Sequence, residues 1–219
     1  MLRPRSIPLT LPVSVVVPCV PKHVDLLPDL LASFARQTVP PDELILALSG
    51  CAEPALHAPF PMRATLAATV RPAAANRNRG LEIAAHRVVI FHDADDLPHP
   101  RRIEIIRSIF ERYEVAHLMH AFDESRALSA PTWPIHDSIE SIQERAYYQP
   151  RYVFDWGLTN GNVAVDRDAI GDVRWPEHMI HGEDVAFNTA VCARSGANVV
   201  LPLPLLLYRR HLSATGAAP

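Results

Sequence analysis

The run Val13-Ser14-Val15-Val16-Val17-Pro18 constrains this chain most. It is short, β-branched and apolar at both alternating sets of positions, so neither face suits water. Such a strand belongs inside a parallel sheet covered on both sides. Val88-Val89-Ile90-Phe91 repeats the pattern, and Glu43 to Leu48 and Arg63 to Val70 read as two more strands. Helical stretches separate them. Asp25 is placed to cap a helix from Leu26 to about Gln37, with Pro28 in its first turn and Leu27, Leu30, Leu31 and Phe34 as its apolar stripe. A second helix spans about Ala75 to Ala85. This β-α-β-loop-β-α-β order predicts a right-handed, mostly parallel α/β sheet.

The second half is less regular. Arg101 to Arg112 reads as a helix with Ile103, Ile106 and Phe110 on one face, and Val115 to Phe122 as a strand. From Asp123 to about Leu158 the periodicity fades while Pro, Trp, Tyr and His accumulate, the pattern of a functional loop region. Asn162 to Val165 returns to strand character. Glu183 to Arg194 is a helix stopped by Ser195-Gly196, and Asn198 to Leu201 is a last strand.

The strand Val88–Phe91 runs directly into Asp93-Ala94-Asp95-Asp96. Carboxylates crowded past a buried strand repel one another unless a hard cation such as Mg²⁺ or Mn²⁺ sits among them. In an open α/β sheet, strand ends of this kind are also where ligands bind. The plainer reading is an acidic turn with Asp95 or Asp96 capping the next helix.

Composition excludes several classes. The 219 residues are 48% hydrophobic and 21% charged, with a net charge of -3. That is ordinary soluble composition, and it does not suit nucleic acid as the principal partner. Lys22 is the single lysine, so arginine carries almost all the positive charge. Cys19, Cys51 and Cys192 are odd in number and lack CxxC spacing, which predicts reduced thiols in a cytoplasmic protein. Met1 to Leu11 lacks the apolar run of a signal peptide, and no stretch reaches the ~18 apolar residues of a membrane span. Peripheral association with a membrane or a partner protein stays open.

Four features fall in order along the chain. Asn76-Arg77-Asn78-Arg79-Gly80 opens the helix before the acidic strand, where arginines and amides suit phosphate, or simply make a solvated basic turn. The acidic turn follows. His181-Gly182-Glu183-Asp184 then places two carboxylates at a helix start, where Asp184 can accept a proton or only cap the helix. Tyr208-Arg209-Arg210-His211 ends the series with an imidazole able to join a metal shell.

With these four in sequence, the chain resembles the family-2 inverting glycosyltransferases of GT-A fold, from about Val13 to Ser213. Val13 to Pro18 is similar to that family's opening strand, and Leu27 to Thr38 with Pro41 to Ile45 to its first helix and second strand. Arg77 to Gly80 with Asp93 to Asp96 is similar to the segment holding its DxD motif. Gly161-Asn162 with Asp166-Arg167, then Gly182-Glu183-Asp184, then Tyr208 to His211 are similar to its acceptor-side half.

The resemblance implies a Rossmann-like three-layer α/β/α architecture in one GT-A domain over 1–219. About 11–121 would form the nucleotide-sugar-binding half and about 122–213 the acceptor-side half. It implies Mn²⁺ or Mg²⁺ held on the donor diphosphate by Asp95, with Asp93 acting through ribose or water and His211 closing the shell. Pro18, Ser49, Arg77, Asn78, Arg79, Asp93, Ala94 and Asp95 would bind the nucleotide-sugar. Trp156, Gly161 and Asn162 would meet a carbohydrate or glycolipid acceptor, and Asp184, beside Glu183, would take the acceptor's proton.

One departure stands out. The family usually carries an Asp-Asp-Gly-Ser run after its second strand, whereas this chain has Leu48-Ser49-Gly50-Cys51. The glycine stays and both acids are gone, which bears on base preference. Three rivals remain. A haloacid-dehalogenase-type phosphatase also follows a strand with Asp-x-Asp, but needs a downstream lysine that is missing here. A zinc hydrolase using His178, His181 and Glu183 lacks HExxH spacing. The third is a non-catalytic nucleotide-sugar-binding protein of the same fold.

Overall fold

The computed structural model describes residues 3–6, 10–124, 138–145, 147–149, 161–194 and 197–209. Strand β1 (Val13–Cys19) leads through a 3₁₀ turn (Pro21–Leu26) into α1 (Leu27–Ala35), then β2 (Glu43–Ser49) and β3 (Met62–Ala67). Helix α2 (Ala73–Ile83) returns the chain to β4 (Val88–Phe91). Next come β5 (Leu97–Pro98), α3 (Arg102–Arg112), β6 (His117–Glu124), α4 (Ile139–Arg145) and β7 (Tyr147–Gln149). The chain finishes with β8 (Ala164–Asp166), α5 (Arg167–Ile170), α6 (Glu183–Arg194) and β9 (Asn198–Tyr208).

The strands form one sheet in the order β3-β2-β1-β4-β8-β6-β9-β5, with β7 also paired to β9. From β3 to β4 every pairing is parallel. Beyond β4 the sheet is mixed: β8 is antiparallel to both β4 and β6, while β6 and β9 are parallel. The parallel expectation therefore holds for the half that carries β1 and stops at the acidic strand.

Both faces of β1 are covered, as its sequence requires. Val13, Val15 and Val17 belong to a core shared with Leu27, Leu30 and Phe34 of α1 and Ile103, Ile106 and Phe110 of α3. Val16 faces the other way, into a core with Ala74 and Leu81 of α2 and Phe187 and Val191 of α6. The result is three layers. Helix α2 lies very close to β1, because a Cβ added at Gly80 would come within 2.3 Å of a Val16 methyl.

Several boundaries differ from those expected. Asp25 does not cap α1; the 3₁₀ turn occupies that stretch and the cap position is Leu26, with no side-chain hydrogen bond. Helix α3 starts at Arg102 behind Arg101, again without a side-chain cap, so Asp95 and Asp96 are not its cap. Helix α2 begins at Ala73, and Pro72 accepts the Asn76 N–H. The Asn76–Gly80 run consequently lies inside the helix and does not open it. Strand β3 ends at Ala67, short of Val70, whereas β9 runs on through Pro202 and Pro204 to Tyr208.

Candidate active site

The strand order creates the site. The chain steps outward from β1 to β2 and β3, then crosses back to β4 on the other side of β1. Loops after β1 and β4 therefore diverge, and a crevice opens at their carboxyl ends. A cleft of about 670 Å³ occupies this position, bounded by the segments around Pro18 to His23, Asp93 to Asp96, Gly161–Asn162, Ile180 to Asp184 and Leu206 to Tyr208.

The acidic turn is held by three elements. Asn162 accepts the Asp93 N–H at 2.8 Å and donates through Nδ2 to Asp96 Oδ2 at 3.1 Å and Asp93 Oδ2 at 3.3 Å. The other Asp96 oxygen accepts the Arg209 N–H at 3.2 Å, and Arg209 Nε donates to the Asp95 carbonyl. Asp96 is 1% exposed, so it staples the end of β9 to the turn and leaves Asp93 and Asp95 to face the cleft. Burial raises the Asp95 pKa, and the Asp93 charge raises it further. Burial lifts Asp96 well above the usual carboxylate range, with Asp93 and Asp95 adding to the effect.

Beneath the turn lies Arg102, fully buried at the start of α3. It donates to the carbonyls of Phe91 and Asn162 at 3.1 Å each and to His120 Nε2 at 3.1 Å, and its Nη1 lies 3.2 Å from His92 Nδ1. Burial pulls its pKa down to about 9 against the opposing pull of Asp96 and Asp93. A buried cation under three carboxylates offsets part of their mutual repulsion. His92 and His120 are its neutral acceptors: burial, then the Arg102 charge, drives both pKa values down, His120 to about 3.

Arg77 spans the cleft floor. Its Nη2 donates to Asp93 at 2.6 Å, its Nη1 to Glu183 at 3.2 Å, and its guanidinium lies 4.4 Å over the Trp175 ring. That ring stacks on Phe187 of α6 at 4.0 Å and meets Phe91 edge-on. Arg77 is only 3% exposed, so its charge is spent on two carboxylates and an aromatic face. Gly161 passes directly above it: a Cβ there would stand 2.3 Å from Arg77 Nη2.

The structure brings Pro18, Arg77, Asp93, Ala94, Asp95, Gly161, Asn162, Glu183 and Asp184 to one cleft. Three expected donor-binding residues lie elsewhere. Ser49 is buried and accepts from Asn76 Nδ2 and the Arg71 N–H. Asn78 is tied to the Trp175 backbone, and Arg79 to the Leu48 carbonyl and Thr65. For Asn78 and Arg79 helical rotation explains this, since residues one or two beyond Arg77 on α2 point to different sides, while Ser49 at the end of β2 is taken up by Asn76. Asn162 holds the acidic turn and Gly161 packs over Arg77, and both line the cleft. Asp184 sits in the first turn of α6, with one oxygen accepting the Val185 N–H at 2.8 Å. Trp156 and His211 lie outside the described residues.

Sequence reasoning missed His23, Arg102 and Trp175. His23 Nε2 is buried without a hydrogen-bond partner, 3.6 Å from Asp95 Oδ2. Among the described residues no three carboxylate, imidazole or thiolate groups stand together as a ready cation cage. Two facing carboxylates and an orphaned imidazole nitrogen still suit a divalent ion whose remaining ligands are phosphate oxygens and water. The residues present fit such an ion on that basis.

An open α/β sheet with acidic and basic groups converging at its switch point defines an α/β protein with a polar crevice at the place where such folds take ligands. The chain belongs to glycosyl transferase family 2, whose model matches residues 14–173. No curated protein sequence matches it significantly. Among solved structures it is similar to S. aureus TarS 1-349 in complex with UDP-GlcNAc, with a TM-score of 0.68 and 16% identity over 95% of this chain and 62% of that one. TarS 1-349 in complex with UDP matches at TM-score 0.65 and 15% identity, covering 90% and 60%. A longer TarS structure matches at 0.65 and 15%, covering 90% of this chain and 36% of that one. The chain thus spans less than two thirds of these neighbours, and its fold is theirs, GT-A.

Proposed function

We propose that this chain is a metal-dependent inverting glycosyltransferase that moves a sugar from a nucleotide-sugar to a hydroxyl of a carbohydrate or glycolipid acceptor, acting in the cytoplasm. The observation that carries the reading is the pairing, in one cleft, of Asp93 and Asp95 from the end of β4 with Asp184 from the start of α6. Family membership and neighbours bound to UDP and UDP-GlcNAc support a nucleotide-sugar donor. Asp184 takes the proton of the acceptor hydroxyl as that oxygen bonds to the anomeric carbon. The bond from this carbon to the diphosphate breaks on the opposite face, and its electron pair leaves with the nucleoside diphosphate. Mn²⁺ or Mg²⁺ bound at Asp95, with Asp93 and His211, would supply charge neutralisation for that leaving group. Arg77 keeps Asp93 and Glu183 at fixed separation, so the donor and acceptor sides share one brace.

A second reading, a nucleotide-sugar-binding protein without turnover, draws on one observation. Ser49, where the family has an acid, is buried against Asn76 and does not reach the cleft. Two measurements separate the readings. A thermal-shift panel of UDP, GDP, ADP, CDP and dTDP, each with Mn²⁺ or EDTA, tests for metal-dependent donor binding; a ligand at about 100-fold its Kd adds ~2.7 kcal/mol of stability. Product formation in Asp184→Asn then tests the base. The enzyme reading expects transfer in the parent, a loss of at least about a hundredfold in the variant, and unchanged nucleotide shifts. Transfer at the parent rate in Asp184→Asn removes the base assignment.

A further inference from the structure

We infer that His23, in the 3₁₀ turn after β1, is a ligand of the divalent cation that the cleft takes, bound through Nε2 beside Asp95. The inference rests on the metal-dependent reading above and adds to it a residue from the opposite wall of the crevice.

The geometry carries it. His23 lines the cleft, and its side chain is 15% exposed, against 11% for Asp95. Its Nε2 is buried with no hydrogen-bond partner, a costly condition for an imidazole nitrogen unless something else occupies its lone pair. The nearest acidic atom, Asp95 Oδ2, is 3.6 Å away. That exceeds a hydrogen bond, yet it suits two donor atoms that each approach one ion to about 2.1 Å. Asp95 has its carbonyl held by Arg209, so the carboxylate is positioned while its side-chain oxygens remain directed at the cleft. His23 and Asp95 come from the loops after β1 and β4, the two strands between which the crevice opens. A shared ion would tie those loops together at the point where the donor enters.

The nitrogen donor has a consequence for metal choice. All-oxygen sets suit Mg²⁺, whereas an added imidazole biases a site toward later first-row ions. The cleft should therefore prefer Mn²⁺ over Mg²⁺, and His23→Gln should narrow that preference.

The test uses the full chain, with Mn²⁺ alone and Mn²⁺ with UDP as probes, in the parent, His23→Gln and His211→Gln, each checked by circular dichroism. Free Mn²⁺ is read by electron paramagnetic resonance, and directly bound nitrogen by its pulsed hyperfine coupling. The expected result is a nitrogen coupling in the parent that survives in His211→Gln and loses its His23 component in His23→Gln, with Mn²⁺ affinity falling about tenfold or more. UDP binding measured in EDTA stays unchanged. A bound-Mn²⁺ spectrum identical in parent and His23→Gln overturns the inference and leaves the metal-dependent reading standing. No Mn²⁺ uptake by the folded parent, with or without UDP, overturns both.

Discussion

At the scale of single residues, Arg77 and Gly161 form a matched pair. The guanidinium fills the space a Cβ at position 161 would need, and it cannot swing aside without releasing Asp93 and Glu183. Gly161→Ala should therefore displace Arg77 and lower donor-dependent activity about tenfold or more, as small misplacements at reacting groups do, with a modest loss of thermal stability. Arg77→Ala should cost more, on the order of 3 kcal/mol, because it strands two carboxylates over an aromatic floor. Denaturant titration of both variants checks the ranking. Arg77 was legible as a cleft residue but not as a brace, since a run of Asn and Arg carries no sign of which partners it will meet. Arg102 was hidden for a related reason: an arginine at the start of a helix reads as solvated, and only tertiary placement puts it beneath the acidic turn. Trp175 follows no periodic segment that would have marked it as core.

At the scale of elements, local pattern and long-range pairing part company. β1 and β4 were legible because apolar residues on both faces permit little besides a covered strand. Their parallel pairing matches the β-α-β reading, whereas the strand order that opens the crevice between them is set by long-range pairing. Strand β9 was underestimated because Pro202 and Pro204 argue against an interior strand. The structure accommodates them where the β6–β9 register shifts, at His120/Ala121 and Ala121/Asp123, so the missing donors fall where the ladder is irregular. Asn78 and Arg79 turn away from the cleft because they lie inside α2, whose early start at Ala73 no capping side chain announced. Gly80 lets that helix close on β1. Gly80→Ala overfills the contact with Val16 and should destabilise by roughly 1–3 kcal/mol, a fall of about 3–10 °C in Tm; differential scanning fluorimetry reads it directly.

At the scale of the whole molecule, buried histidines set the acid limit. His117 is fully buried, hydrogen-bonded to Asn188 with Cys192 beside its other nitrogen, and burial lowers its pKa to about 4. His99 is likewise lowered to about 4, by burial and then the charge of Arg101. In the unfolded chain both titrate near 6.5. Between about 6.5 and 4 the unfolded state therefore binds protons that the folded state refuses, and stability rises with pH across that window. The histidine contribution should be complete above neutrality and fall below pH 6.5, against an opposite contribution from Asp95 and Asp96, whose raised pKa values favour the folded state as pH falls. Tm measured from pH 7.5 to 4.5 in the parent and in His117→Gln should show a smaller fall with acid in the variant; equal pH dependence in the two would contradict it.

The bonds from Arg209 to Asp95 and Asp96 join positions 114 and 113 residues apart in sequence. During synthesis, the acidic turn leaves the ribosome long before the strand that brings Arg209 to it. A nascent chain can build the β3-β2-β1-β4 ladder early, but its crowded carboxylates wait for a partner made 113 residues after Asp96. The cleft is therefore completed only once β9 is in place, at the entropic cost of closing a long loop, and a chain halted before β9 would carry the β3-β2-β1-β4 ladder without a finished site.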